Sequence, residues 1–229
     1  MIIFNGNNFN EQIAVYLAGR FREIKCLIKI GKPDSSKVFF GKDDFFYSVK
    51  SLTYKISSDN FWQVNSCQLN NMIEKVLDYA KLAGKENVLD AYCGVGFFSL
   101  FMAQKCKYVY GVEINSKSIE NARINAKLNN ISNIKFFNED VEKVFINKSF
   151  KGLDLILLDP PRKGCSIKFL EGVLATLPKK IIYVSCDPAT LARDLKILCA
   201  DKYNIKEIQP IDMFPQTYHI ESIVYMEIR

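Results

Sequence analysis

From Asn87 onward, short apolar strands alternate with stretches of helical periodicity, a rhythm that few folds accommodate. The strands read NVLDAY, YVYGVEI, NIKFFN, LDLILLD and KIIYVSC, and the spacing predicts helices over 97–105, 118–128, 167–177 and 189–198. Strands joined by helical crossovers run parallel, so this region predicts an open, doubly wound α/β sheet. The two closing strands, IKEIQPIDMF and IESIVYMEI, have no helix between them and are expected to pair antiparallel.

Ahead of that region, Leu69, Met72, Ile73, Val76, Leu77 and Ala80 recur at helical spacing and describe one amphipathic helix. Residues 1–62 read instead as a small β-rich subdomain: CLIKIG before Pro33, then KVFFG, FFYSVKSLTYKI and a Ser-Ser-Asp-Asn break before Phe61. The expected organisation is therefore this small unit followed by a larger α/β domain over 63–229.

A chain of 229 residues, 48% hydrophobic and 24% charged, can bury a sizeable core. No apolar run approaches the roughly 20 residues of a membrane span. The start MIIFNGNNFNEQ lacks the basic and then apolar layout of a secretory signal. The expectation is a cytoplasmic protein with no membrane partner. Seven cysteines are scattered without a CxxC pair, which points to neither a disulfide framework nor a metal site or iron–sulfur cluster. A net charge of +6 favours an anionic partner such as RNA without deciding it.

Ligands of open parallel sheets bind beyond the carboxyl ends of the strands. There VLDAYCGVGFFSL supplies a strand, a turn with Gly94 and Gly96, and a helix, so the backbone can approach a ligand closely; a plain tight turn is the alternative. The next strand delivers Glu113, whose carboxylate suits the two hydroxyls of a ribose, in NAD as well as in other adenosine cofactors. Asp140 in FFNEDVE stands where adenine would lie, or is a solvated turn acid. LLDPPRKGC places Asp159 on a stiff Pro-Pro turn, with Arg162 and Lys163 next to it in position for a phosphate backbone. The same turn could also be a plain one with a capping acid.

KIIYVSCDPATLARD puts Cys186 at the end of a strand and before a helix starting near Pro188. Partial positive charge at a helix N-terminus favours the thiolate, and so a nucleophile, although a small core residue is the ordinary role of a lone cysteine. PQTYHIESIVYMEI offers His219 and Glu221, spaced to share one face of the last strand. Glu221 is the candidate base, because an apolar setting would raise its proton affinity. The alternatives are a surface charge and a turn histidine.

Taken in order, FWQVN, DAYCGVGFFSL, DPPRKG, SCDPATLARD and HIES resemble the RNA 5-methyluridine (uracil-5-) methyltransferase family acting on tRNA or ribosomal RNA, over about residues 58–229. The resemblance implies a class I S-adenosylmethionine-dependent methyltransferase fold, Rossmann-like, with S-adenosyl-L-methionine as cofactor and a uridine in tRNA or rRNA as target. By that likeness, Gln63, Tyr92, Glu113, Asp140 and Asp159 contact the cofactor or shape its pocket. Cys186 matches the nucleophile that adds to uracil C6, and Glu221 the base that removes the C5 proton. There are three departures. Phe97 and Asp187 stand where asparagine is frequent, so a polar cofactor contact would be lost and a carboxylate would oppose the thiolate. The chain is also N-terminally short, with no RNA-binding β-barrel evident. A non-catalytic RNA- or cofactor-binding remnant is the competing reading. An amino-methyltransferase fits less well, since DPPR lacks the aromatic residue of the corresponding motif.

Overall fold

The structure, a computed structural model, describes residues 2–5, 11–22, 24, 26–30, 36–147, 150 and 152–229. At the N-terminus, β1 (Ile2–Asn5) pairs in parallel with β2 (Cys26–Ile30) through the crossover helix α1 (Glu11–Arg20). β3 (Ser36–Gly41) then returns antiparallel to β2. The expected all-strand start thus contains a helix. Ala14 of α1 is buried while Ile13, Val15 and Tyr16 are exposed, so no periodic apolar stripe announces it. The turn expected at Pro33 lies outside the described residues. β4 (Asp44–Val49) and β5 (Leu52–Ser57) form a hairpin out of FFYSVKSLTYKI, a stretch that the sequence marks only as β-rich.

The chain continues through α2 (Leu69–Ala80), β6 (Asn87–Ala91), α3 (Phe97–Ala103), β7 (Tyr108–Glu113), α4 (Ser116–Leu128) and β8 (Ile134–Asn138). It then forms α5 (Val141–Asn147), β9 (Leu155–Leu158), α6 (Ile167–Thr176), β10 (Lys180–Ser185), α7 (Pro188–Leu198), β11 (Tyr203–Ile211) and β12 (Glu221–Ile228). The seven-stranded sheet has the order β11-β12-β10-β9-β6-β7-β8. β12 runs antiparallel to both of its neighbours, as expected of a closing pair without a crossover. The winding direction reverses between β6 and β9, which opens a crevice at their carboxyl ends.

Both faces of the sheet are covered, so its central strands are apolar on both sides; all of Leu155–Leu158 is buried. Leu155 and Leu157 join one core with α2, α3 and the hairpin, while Ile156 and Leu158 join another with α6 and α7. α2 turns Leu69, Met72, Ile73, Val76 and Ala80 inward, as its periodicity requires. Asn115, Ser166 and Asp187 cap α4, α6 and α7 by accepting from Ser118, Phe169 and Thr190 amides. The hairpin is held to α4 by side-chain amides. Asn125 Oδ1 accepts from Lys55 N at 2.6 Å and Asn129 Oδ1 from Thr53 N at 2.9 Å.

Candidate active site

Two strand ends frame the crevice. β6 runs into the turn of Tyr92 to Gly96, and β9 into Asp159 and the two prolines. Tyr92 takes φ 69 and Gly96 φ 86, left-handed values that fold the turn back over the sheet, and Gly96 caps α3. Gln63, Tyr92, Gly94, Phe97 and Asp159 line one cavity there, together with Asp90. Glu113, at the end of β7, accepts from Gly94 N at 3.2 Å and from Asn115 N at 2.8 Å. Asp140 caps the start of α5, its Oδ1 accepting from Glu142 N at 3.0 Å. The Tyr92 hydroxyl is paired with the Cys165 thiol, and the ring meets Phe169 edge-on at 5.8 Å.

Sequence reasoning missed Asp90. It is fully buried at the end of β6 and accepts from Ser99 Oγ, while its Oδ1 has no hydrogen-bond partner among the described residues. Burial pushes its carboxyl up to about 7. Asp159 is raised well above the usual range by burial, then by Glu221 and Asp90. Carboxyls that raise one another make a pocket suited to a cationic ligand. The available signal was an acid inside an apolar strand that is buried on both faces.

The antiparallel ladder of β10 and β12 pairs Ser185 with Ser222. The chain continues into Cys186 just past that pair, and Glu221, the first residue of β12, acts electrostatically on its thiol. Glu221 is 5% exposed, and burial raises its carboxyl to about 7. His219 precedes the strand, so it does not share the strand face expected of it. Its ring instead packs on Tyr218 at 4.2 Å and on Phe214 at 5.7 Å.

Cys186 is half-buried two residues before α7 begins. The expected depression of its thiol is overturned: burial raises it, then Glu221 and Asp159, against an opposing pull from Arg162. Desolvation outweighs the partial charge of the helix end. Asp187 directs its carboxylate to Thr190 N at 2.8 Å, a cap that asparagine would provide equally well. Phe97 packs on Trp62, at 5.2 Å between ring centroids, and on Phe98 at 4.9 Å. Its ring completes the core beneath the cavity.

A sequence model described as tRNA (uracil-5-)-methyltransferase matches residues 10–229. The chain belongs to the tRNA (uracil-5-)-methyltransferase family. An uncharacterized RNA methyltransferase of Oceanobacillus iheyensis is 40% identical over 231 residues, covering 96% of this chain and 50% of its own length. Another, from Listeria monocytogenes, is 45% identical over 197 residues, covering 85% of this chain and 44% of its own. The chain thus spans about half the length of the curated relatives it matches, 50% and 44% here. The crystal structure of Pyrococcus abyssi tRNA (uracil-54, C5)-methyltransferase in complex with S-adenosyl-L-homocysteine is similar at a TM-score of 0.77 and 31% identity. That match covers 98% of this chain and 55% of that one. The sheet is that of the class I methyltransferase fold, as the motifs implied. Among the described residues, no helix is long and apolar enough to cross a membrane, and no cluster of side chains is arranged to hold a metal ion.

Proposed function

We propose that this chain carries the methyl-transfer site of an S-adenosylmethionine-dependent enzyme that forms 5-methyluridine in tRNA or ribosomal RNA, in the cytoplasm. The observation that carries the reading is a thiol and a buried carboxyl, Cys186 and Glu221, at adjoining ends of the paired strands β10 and β12 and within electrostatic reach of Asp159 in the crevice. Membership of the family and the likeness to the Pyrococcus abyssi enzyme support it.

The crevice fits the cofactor on chemical grounds. The unpartnered Asp90 Oδ1 and the raised Asp159 carboxyl favour a ligand bearing positive charge, as S-adenosylmethionine does on its sulfonium and ammonium groups. Glu113 would accept from the ribose hydroxyls, and Asp140 from the adenine amine. Gln63, Tyr92 and the Gly94 to Gly96 turn would form the walls. When bound, the cofactor supplies an activated methyl group.

Carbon 5 of uracil is a weak nucleophile. Addition of the Cys186 thiolate to C6 makes C5 enolate-like and able to accept the methyl group. Glu221 then takes the C5 proton, and elimination releases the Cys186 sulfur. A carboxyl with its proton affinity near 7 suits a base working at neutral pH.

The test is nucleoside mass spectrometry of RNA from cells with and without the gene, joined to trapping with 5-fluorouridine RNA. Loss of one 5-methyluridine, and a covalent adduct that vanishes in Cys186→Ala, are expected. Cofactor binding with neither result would leave the non-catalytic reading. The division of the chain into a small N-terminal unit and a methyltransferase domain is likewise our proposal, with the β4–β5 hairpin on the methyltransferase side of the boundary.

A further inference from the structure

The segment after β9 is held against α7 by side chains that the reaction itself does not use. Thr190 Oγ1 donates to Arg162 O at 3.0 Å, and Arg193 Nη2 donates to Lys163 O and Cys165 O, each at 3.0 Å. Asp194 Oδ2 accepts from Cys165 N at 2.8 Å and from the Tyr183 hydroxyl at 2.6 Å. Its Oδ1 accepts from Arg193 Nε at 2.8 Å. Thr190, Arg193 and Asp194 lie at the spacing that puts them on one helix face.

Gly164 shows how closely the two surfaces meet. It takes φ 71, and a β-carbon there would stand 2.6 Å from Arg193 Nη2 and 2.7 Å from Asp194 Oδ2. Asp194 is fully buried; it holds Cys165 N directly and orients Arg193, which makes two further bonds to this segment. The cost of such burial is offset only while every partner is in place.

The clamped segment begins at Arg162, whose carbonyl is pinned to Thr190 of α7 and whose positive charge favours the Cys186 thiolate. The groups around that sulfur are Glu221 from β12 and Asp159 and Arg162 from the segment after β9, with Asp187 next to it in the chain. Helix α7 thus begins two residues after Cys186 and carries the clamp on its first turns.

We propose that Asp194 is a positioning residue: by locking residues 162–165 onto α7, it holds Arg162 beside Cys186 as the counter-cation of the thiolate. The inference rests on the assignment of Cys186 as nucleophile, but its test needs neither RNA nor cofactor. Iodoacetamide alkylation of each cysteine in the full chain is followed by mass spectrometry across pH, with the exposed Cys67 as internal reference.

Arg162→Ala is expected to move the Cys186 profile to higher pH, slowing its alkylation near pH 7 by about threefold or more. Asp194→Asn is expected to reproduce at least half of that slowing. Tyr203→Phe removes a buried hydrogen bond to Pro178 O, 2.7 Å long, at the opposite end of the sheet, and is expected to leave the Cys186 profile alone. Should Asp194→Asn fail to fold, Tyr183→Phe, which deletes one hydroxyl of the clamp, decides in its place. A wild-type profile in the deciding clamp variant overturns the proposal, as does an unmoved Arg162→Ala or an equal shift in Tyr203→Phe. Because the readout is thiol chemistry, absence of methyl transfer to RNA would count against the proposed function and not against the clamp.

Discussion

Glu221 shows how one buried side chain ties stability to chemistry. Its carboxyl ionises near 4.5 when solvated and near 7 in the fold, because burial disfavours the charge. Between those values the folded protein keeps a proton that the unfolded chain has released. Raising the pH through this window therefore removes stability, by about 3 kcal/mol in all; the cost is absent below it and constant above it. Glu221→Gln lacks that cost. Its denaturation midpoint should match wild type near pH 4 and exceed it by a growing margin up to about pH 7. Parallel curves across that range would mean that Glu221 ionises as an ordinary exposed acid, and its candidacy as the base would lose its physical support.

Among the elements, α4 has a role that its exposed face does not suggest. Asn125 is fully buried, bonded to Lys55 N and O on β5 and to Val95 O in the glycine turn. Asn129 repeats the pattern one turn later with Thr53 N and O. The amides stand in for a neighbouring strand along β5 and brace the glycine turn from behind. Asn125→Ala strands three backbone groups in the interior, and urea denaturation should show a loss of about 2–4 kcal/mol. A loss under about 1 kcal/mol would mean that water replaces the amide at little cost.

For the whole molecule, the question is where the chain divides. The hairpin of β4 and β5 shares the core of α2 and α3 through Leu52, Tyr54 and Ile56, whereas α1 packs on β3. These contacts favour a boundary in the link between β3 and β4, at the exposed Lys42, over one at residue 62. Limited trypsin digestion should leave a resistant fragment that starts at Asp43 and includes Arg229. A first stable fragment starting near residue 62 would assign the hairpin to the N-terminal unit instead.

Local periodicity and turn chemistry sufficed, in the sequence alone, for the alternating strands and helices from Asn87, the antiparallel closing pair, the β character of FFYSVKSLTYKI and the ordered motifs that mark the family. Helices α1 and α5 escaped because neither shows a full apolar stripe; both are short and take their order from packing. Cys186, Glu221 and Asp159 were legible as candidates from their places at strand ends. Which of them face each other depended on pairing between segments far apart in the chain, since the ladder of β10 on β12 sets Cys186 against Glu221. Tertiary burial also decided the charge states. It raised the thiol that a helix end was expected to lower and made Asp90 part of the crevice, because desolvation and cross-strand neighbours act only once the sheet has closed.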